Sequence, residues 1–91
     1  MIIKHYFRDG EKMREHFLDH GEDTNCDSAE EYLIRANEVI NNPKALKKHE
    51  TDEDDNDMVY YLPTTGEIVF VAADGYIRTY FIADDEYFER Q

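Results

Sequence analysis

The dipeptide Asp74-Gly75 constrains this chain more than any other feature. It separates two apolar stretches, 67–73 and 76–82. An Asp-Gly pair in that setting is the signature of a tight two-residue hairpin turn of the primed type. A loop at 74–75 also fixes a register, because side chains alternate along a strand. Ala73 then faces Tyr76, Val71 faces Arg78, Phe70 faces Thr79 and Val69 faces Tyr80. One face of the hairpin carries Ile68, Phe70, Ala72, Ile77, Thr79 and Phe81, and the other carries Val69, Val71, Tyr76, Arg78, Tyr80 and Ile82. The first set is the better surface for helices to cover, and Thr79 is its single polar member. The stretch 67–73 is apolar on both faces, which predicts a central strand.

Upstream, Met58 to Leu62 predicts another strand, and Pro63-Thr64-Thr65-Gly66 predicts the turn that follows it. Two helices precede the strands. Met13, His16, Phe17 and His20 recur at helical spacing over 11–20, and Gly21 is a natural stop. Ser28 followed three residues later by Glu31 is a capping box. It opens a helix to about Asn41 with Tyr32, Leu33, Ala36, Val39 and Ile40 as its apolar stripe, ended by Asn42-Pro43. Ile2 to Phe7 alternates loosely, as a short edge strand would, and a short tail carries Tyr87 and Phe88. The fold class expected is α+β: two N-terminal helices packed on a small antiparallel β-meander, in a single domain of 91 residues.

The charge of this domain limits its partners. Asp and Glu number 22 against 10 Lys and Arg, giving a net charge of -12. A uniformly acidic surface repels phosphate backbones and anionic membranes, and attracts basic proteins. Any RNA site must therefore be a locally positive place on a negative molecule. Lys44, Lys47, Lys48 and His49 make one basic patch. Next to it, 50–57 carries six acids in eight residues and reads as a solvated, mobile loop. The spacing of that run lacks the glycine and final glutamate of a calcium loop. Cys26 is the sole cysteine, so no internal disulfide forms, and no run reaches membrane-spanning length. A cytoplasmic protein, or one delivered into a target cytoplasm, is expected.

Phe17-Leu18-Asp19-His20-Gly21, then Ser28-Ala29-Glu30-Glu31-Tyr32-Leu33 and Ala36, resemble the opening of a family of bacterial polymorphic-toxin domains. Gly66 to Val71, Asp74-Gly75-Tyr76-Ile77 and Arg78-Thr79-Tyr80-Phe81 are similar to the closing hairpin of that family. It belongs to the barnase/EndoU/colicin/RelE-like (BECR) group of metal-independent ribonucleases, and includes toxins of contact-dependent inhibition and prophage-borne relatives. The resemblance spans roughly residues 11 to 88. It implies RNA cleavage to a 2',3'-cyclic phosphate without a cofactor, on RNA such as tRNA, with an immunity protein among the partners. It assigns catalytic roles to His20 and Thr79, with Arg78 and Tyr80 as adjacent candidates.

The chemistry of those residues fits. Metal-free cleavage needs a base for the 2'-hydroxyl, an acid for the leaving oxygen and donors for the phosphorane. An imidazole such as that of His20 can act as acid or base, Arg78 can clamp a phosphate, and Thr79 or Tyr80 can donate a hydrogen bond. Structural roles stand beside these. His20 can simply complement a helix C-terminus, Thr79 can be a hydrogen-bonded core residue, and Arg78 can face solvent among acids. His16 and His20, at i and i+4, would need His5, His49 or Cys26 to complete a zinc site. The competing functional class is a non-catalytic acidic binding or accessory protein of a phage or mobile element, such as an inhibitor or nucleic-acid mimic.

Overall fold

In the computed structural model, which describes residues 5–49 and 57–90, the first helix starts where a side chain can cap it. α1 spans Gly10–His20, and the Asp9 carboxylate accepts the Lys12 N–H at 2.7 Å. Met13, His16, Phe17 and His20 turn inward and are half-buried. Gly21 ends the helix, its N–H donating to the Phe17 carbonyl at 2.7 Å. A Cβ at Gly21 would lie 2.6 Å from both that oxygen and the Phe17 ring, so only glycine fits the close approach.

α2 spans Ala29–Asn41 and begins at Ser28, whose hydroxyl accepts the Glu31 N–H at 3.1 Å. The return half of the capping box is shifted by one residue: the Glu31 carboxylate accepts from the Asp27 N–H at 3.4 Å. Tyr32, Leu33, Ala36 and Val39 are buried, as the stripe predicts, together with Asn37.

Four antiparallel strands follow in sequential order: β1 (Leu46–His49), β2 (Met58–Leu62), β3 (Glu67–Val71) and β4 (Ile77–Ile82). β3 is interior and all five of its residues are buried. The α+β architecture of two helices and an antiparallel meander is therefore the architecture found. Two further elements lie where no regular element was read from the sequence. The basic stretch contains β1, and the tail forms a short helix, α3 (Asp85–Glu89), capped by Asp84.

The hairpin register holds in part. Phe70 pairs with Thr79 and Val69 with Tyr80, but Val71 pairs with Ile77 rather than Arg78. The turn is longer than the two-residue form: Gly75 sits at φ +94, its N–H bonds the Ala72 carbonyl at 2.8 Å, and the Ala72 N–H bonds the Tyr76 carbonyl at 2.7 Å. The register shift beside Val71 leaves Arg78 as an extra residue in β4, a β-bulge.

That bulge overturns the expected core face. Ile77 and Tyr80, three residues apart, share a side with Val69 and Val71 and pack on Tyr32, Leu33, Ala36 and Val39. Ile68 and Phe70 face the other way, with Val59 and Tyr61, and are covered by Phe81, Tyr87 and Phe88. α3 gives this second face its lid, which makes it a core of its own.

The N-terminal segment is fixed by a polar clamp. Of the strand expected over 2–7, residues 2–4 lie outside the described residues, and His5 to Phe7 form no regular strand. Instead the fully buried Asn37 reads the backbone of His5: its amide donates to the His5 carbonyl at 2.8 Å and its Oδ1 accepts the His5 N–H at 3.0 Å. The Ile77 N–H donates to the Tyr6 carbonyl at 2.8 Å. Phe7 is thereby buried against Tyr32 and His16. Of the acidic run, only Asp57 is among the described residues, and it is buried rather than solvated.

Asn37→Ala strips both partners from the His5 backbone within the protein. Its cost is expected to be about 2–3 kcal/mol, from buried polar groups left unpaired plus a small cavity. Urea denaturation of wild type and variant measures it, and a loss below about 0.5 kcal/mol contradicts the clamp.

Candidate active site

α1 lies along β4, an edge strand of the sheet, and its inward histidines meet that strand. His16 Nδ1 is 3.3 Å from the Thr79 hydroxyl. One turn on, the His20 ring rests against Phe81 with centroids 5.4 Å apart. The two imidazoles stack on each other at 6.4 Å, and Phe7 covers the other flank of His16 at 5.4 Å.

Beside His16 opens a pocket of about 230 Å³ lined by Phe7, Arg8, Lys12, His16, Ile77 and Arg78. Two guanidinium groups, one ammonium and one imidazole line it, and among the described residues no carboxylate does. These cations gather on a chain whose net charge is -12. Two carboxylates hold its arginines from outside. Asp57 pairs with Arg78 and also accepts the Ala73 N–H at 3.3 Å, tying the hairpin turn to the guanidinium. Asp74 pairs with Arg8 at 2.7 Å, both largely exposed, and Arg8 holds that carboxyl below its usual range. The Arg8 guanidinium also lies over the Tyr76 ring, 5.0 Å from its centroid.

The surroundings of His16 disfavour its protonation. Burial lowers its pKa below 6.5, and the His20 ring beside it pushes the same way, against the opposing pull of Asp19 and Glu15. With Nδ1 engaged by Thr79, Nε2 is the nitrogen left for a substrate.

The residues singled out from sequence are thus divided. Arg78 lines the pocket and Thr79 touches its imidazole. His20 is one step removed, contacting His16 but not lining the pocket. Tyr80 belongs to the core. Its phenol is fully buried and donates to Glu67, its carbonyl accepts from the Tyr32 hydroxyl, and burial raises its pKa beyond any catalytic range. Arg8, Lys12 and His16 were not among the catalytic candidates. Lys12 and His16 share a helix face at i, i+4, a signal present in the sequence. Arg8 reaches the site through contacts distant in sequence: Asn37 with His5, the Ile77 N–H with the Tyr6 carbonyl, and its own ion pair with Asp74.

Other clusters carry less chemistry. A larger hollow of about 430 Å³, between the end of α1 and the loop before α2, has Glu22 and Asp27 in its wall and no cation. Cys26 lines it, and burial raises the thiol pKa, which disfavours the thiolate. The patch with Lys44 lies towards the opposite edge of the sheet. There Lys48 donates to the Glu89 carbonyl at 3.2 Å and sits over the Phe88 ring. Among the described residues, no group of three His, Cys, Asp or Glu side chains is placed to hold a metal ion, and no helix is long and apolar enough to cross a membrane.

The lowered pKa makes a stability prediction. The folded state resists protonating His16, while the unfolded chain takes the proton near pH 6.5. Stability contributed by the neutral ring is present above that pH and is lost as pH falls from about 6.5 through the lower folded value. Wild type is expected to lose more stability than His16→Gln between about pH 7 and pH 5. Urea midpoints across that range measure the difference, and parallel profiles contradict the assignment.

No protein-family model matches this chain, and no match to it is found among curated proteins.

Proposed function

We propose that this domain is a metal-independent endoribonuclease of the BECR type, with His16 as its base. One observation carries the reading: an imidazole whose protonation burial disfavours, in contact with a hydroxyl, opens onto a pocket lined by three cations on a chain of net charge -12. Such a field draws in a phosphodiester and leaves the imidazole able to accept a proton at neutral pH.

In this reading His16 Nε2 takes the proton from the ribose 2'-hydroxyl. The 2'-oxygen forms its bond to phosphorus, the bond to the 5'-oxygen breaks, and the departing oxygen takes a proton from Lys12. Arg8, Lys12 and Arg78 stabilise the charge on the pentacoordinate phosphorus. Products are a 2',3'-cyclic phosphate and a 5'-hydroxyl. Thr79 positions the ring by fixing its Nδ1. His20 supports it by stacking and by holding its pKa down, a positioning role in place of the direct catalysis the resemblance assigns. No metal or cofactor takes part. A toxin-like origin, with an immunity protein as partner and action in a target cytoplasm, goes with this reading.

A second reading keeps the fold and drops the chemistry. The same acidic surface, with Arg8 and Arg78 each already paired to a carboxylate, suits a binding module for a basic protein. Incubation with total tRNA and rRNA in EDTA separates the two. Cleavage is expected to persist in EDTA, to yield cyclic phosphate ends, and to fall about 10²–10⁴-fold in His16→Ala. It is also expected to fade as pH drops through the lowered His16 value. Intact RNA, or equal cleavage by the variant, removes the nuclease reading and leaves the binding module.

A further inference from the structure

Two tyrosine rings stand in solvent next to the cationic pocket. Tyr6 is 52% exposed and Tyr76 is 41% exposed, whereas every other Tyr and Phe in the chain is buried or half-buried. Both lie on the β4 side of the sheet. The Tyr6 carbonyl pairs with the Ile77 N–H, and Tyr76 directly precedes β4. Tyr76 is coupled to the pocket itself through Arg8, whose guanidinium lies over the ring while also lining the pocket wall. Asp74 holds that guanidinium in place from the hairpin turn.

An exposed tyrosine capped by an arginine is a stacking surface. Planar guanidinium groups and aromatic rings both stack on nucleobases, and do so with little regard to base identity because every base presents a π-face. Here that surface shares a residue with a pocket of about 230 Å³, which accommodates a phosphate but not a base pair. A base inside a duplex has both faces covered by its neighbours. An unpaired base leaves its stack to lie on a protein ring without the cost of breaking a base pair.

We infer that Tyr76, together with Arg8, forms a nucleobase-stacking subsite beside the phosphate pocket, so that the domain takes unpaired nucleotides and rejects duplex. The inference rests on the phosphate-handling reading of the pocket and adds to it the class of RNA and the residue that selects it. Tyr76 is a specificity residue and takes no part in proton transfer. Its contribution is to affinity for a single strand and to the position of the phosphate that follows the stacked base.

The test uses a fluorescein-labelled 2'-O-methyl hexamer, which lacks the attacking hydroxyl, alone and annealed to its complement. Inorganic pyrophosphate serves as a probe of the pocket without a base. Fluorescence anisotropy at low salt is expected to show wild type binding the single strand about tenfold or more tightly than the duplex. Tyr76→Ala is expected to lose about tenfold in single-strand affinity, Tyr76→Leu nearly as much, and Tyr76→Phe little, because the ring and not the hydroxyl does the stacking. Pyrophosphate affinity, measured by competition, stays unchanged in all three. Tyr76→Leu keeps apolar bulk, so it carries the test if the alanine variant folds poorly. Equal single-strand affinity in wild type and Tyr76→Leu overturns the inference. So does a parallel loss of pyrophosphate binding, which makes Tyr76 a wall of the pocket. Wild type that binds neither oligonucleotide nor pyrophosphate overturns the phosphate reading beneath it.

Discussion

One extra residue in the last strand decides which side chains meet the helices and which meet the site. A regular strand would place Ile77 and Thr79 on one face and Arg78 and Tyr80 on the other. The bulge at Arg78 breaks that alternation. Ile77 and Tyr80 both turn towards α2, where the Tyr80 ring lies tilted against that of Tyr32 at a centroid distance of 4.9 Å and the Tyr80 carbonyl accepts a hydrogen bond from the Tyr32 hydroxyl. Thr79 is left to meet α1, and Arg78 is left at the pocket with Asp57 against it. A large aromatic core and a polar edge are thereby served by adjacent residues of one strand. The two requirements conflict in any strand of strict period two, and the bulge resolves the conflict locally.

Electrostatics then separate the pocket from the rest of the surface. With 22 acids and 10 bases, the mean field around the molecule is strongly negative. At ionic strengths near physiological, charges more than about 8 Å away are largely screened, so the field inside a pocket is set by the groups in its walls. Arg8, Lys12 and Arg78 fill that role, and the nearest carboxylates engage two of the three from outside. Those contacts lower the net positive charge but fix the guanidinium groups in place. For Arg8 the pair is exposed and adds little stability, so its effect is on orientation. The negative remainder of the chain acts at longer range where salt is low, slowing the approach of any polyanion and easing it as salt rises.

Local patterns carried much of this into the sequence, and non-local contacts carried the rest. The stripe from Tyr32 to Ile40, the Ser28 cap and the doubly apolar β3 are properties of short windows, and they read correctly. The centre of the hairpin register agrees with the sequence through a compensation: the turn found pairs Val71 with Ile77 and alone would set Phe70 opposite Arg78, and the bulge shifts the pairing back to Thr79. The face assignment inverted because a bulge has no signature in apolar alternation: Arg78 looks like any other outward residue. β1 went unread because four mostly exposed residues show no period, and α3 because five residues make barely a turn. The site shows the same division. Lys12 and His16 stand one turn apart on a helix face that the sequence displays, so their neighbourhood was legible. Arg8 and Phe7 reach the pocket through Asn37, 32 residues from His5, and no local pattern encodes a hydrogen bond of that span.

The same geometry explains why the earlier of the two histidines takes the central place. From His16 to His20 an α-helix advances about 6 Å, and from Thr79 to Phe81 a strand advances about 6.8 Å. The two steps nearly match, and each histidine meets one side chain of β4 in the same order: His16 with Thr79, His20 with Phe81. Helix and strand therefore run together like two rulers, and the order of polar and apolar residues on β4 is imposed on α1. The imidazole opposite the hydroxyl gains a polar partner at one ring nitrogen. The imidazole opposite phenylalanine gains only a surface to lean on. A motif that ends a helix in His-Gly draws attention to His20, yet the residue across the interface, not the motif, determines what an imidazole can do.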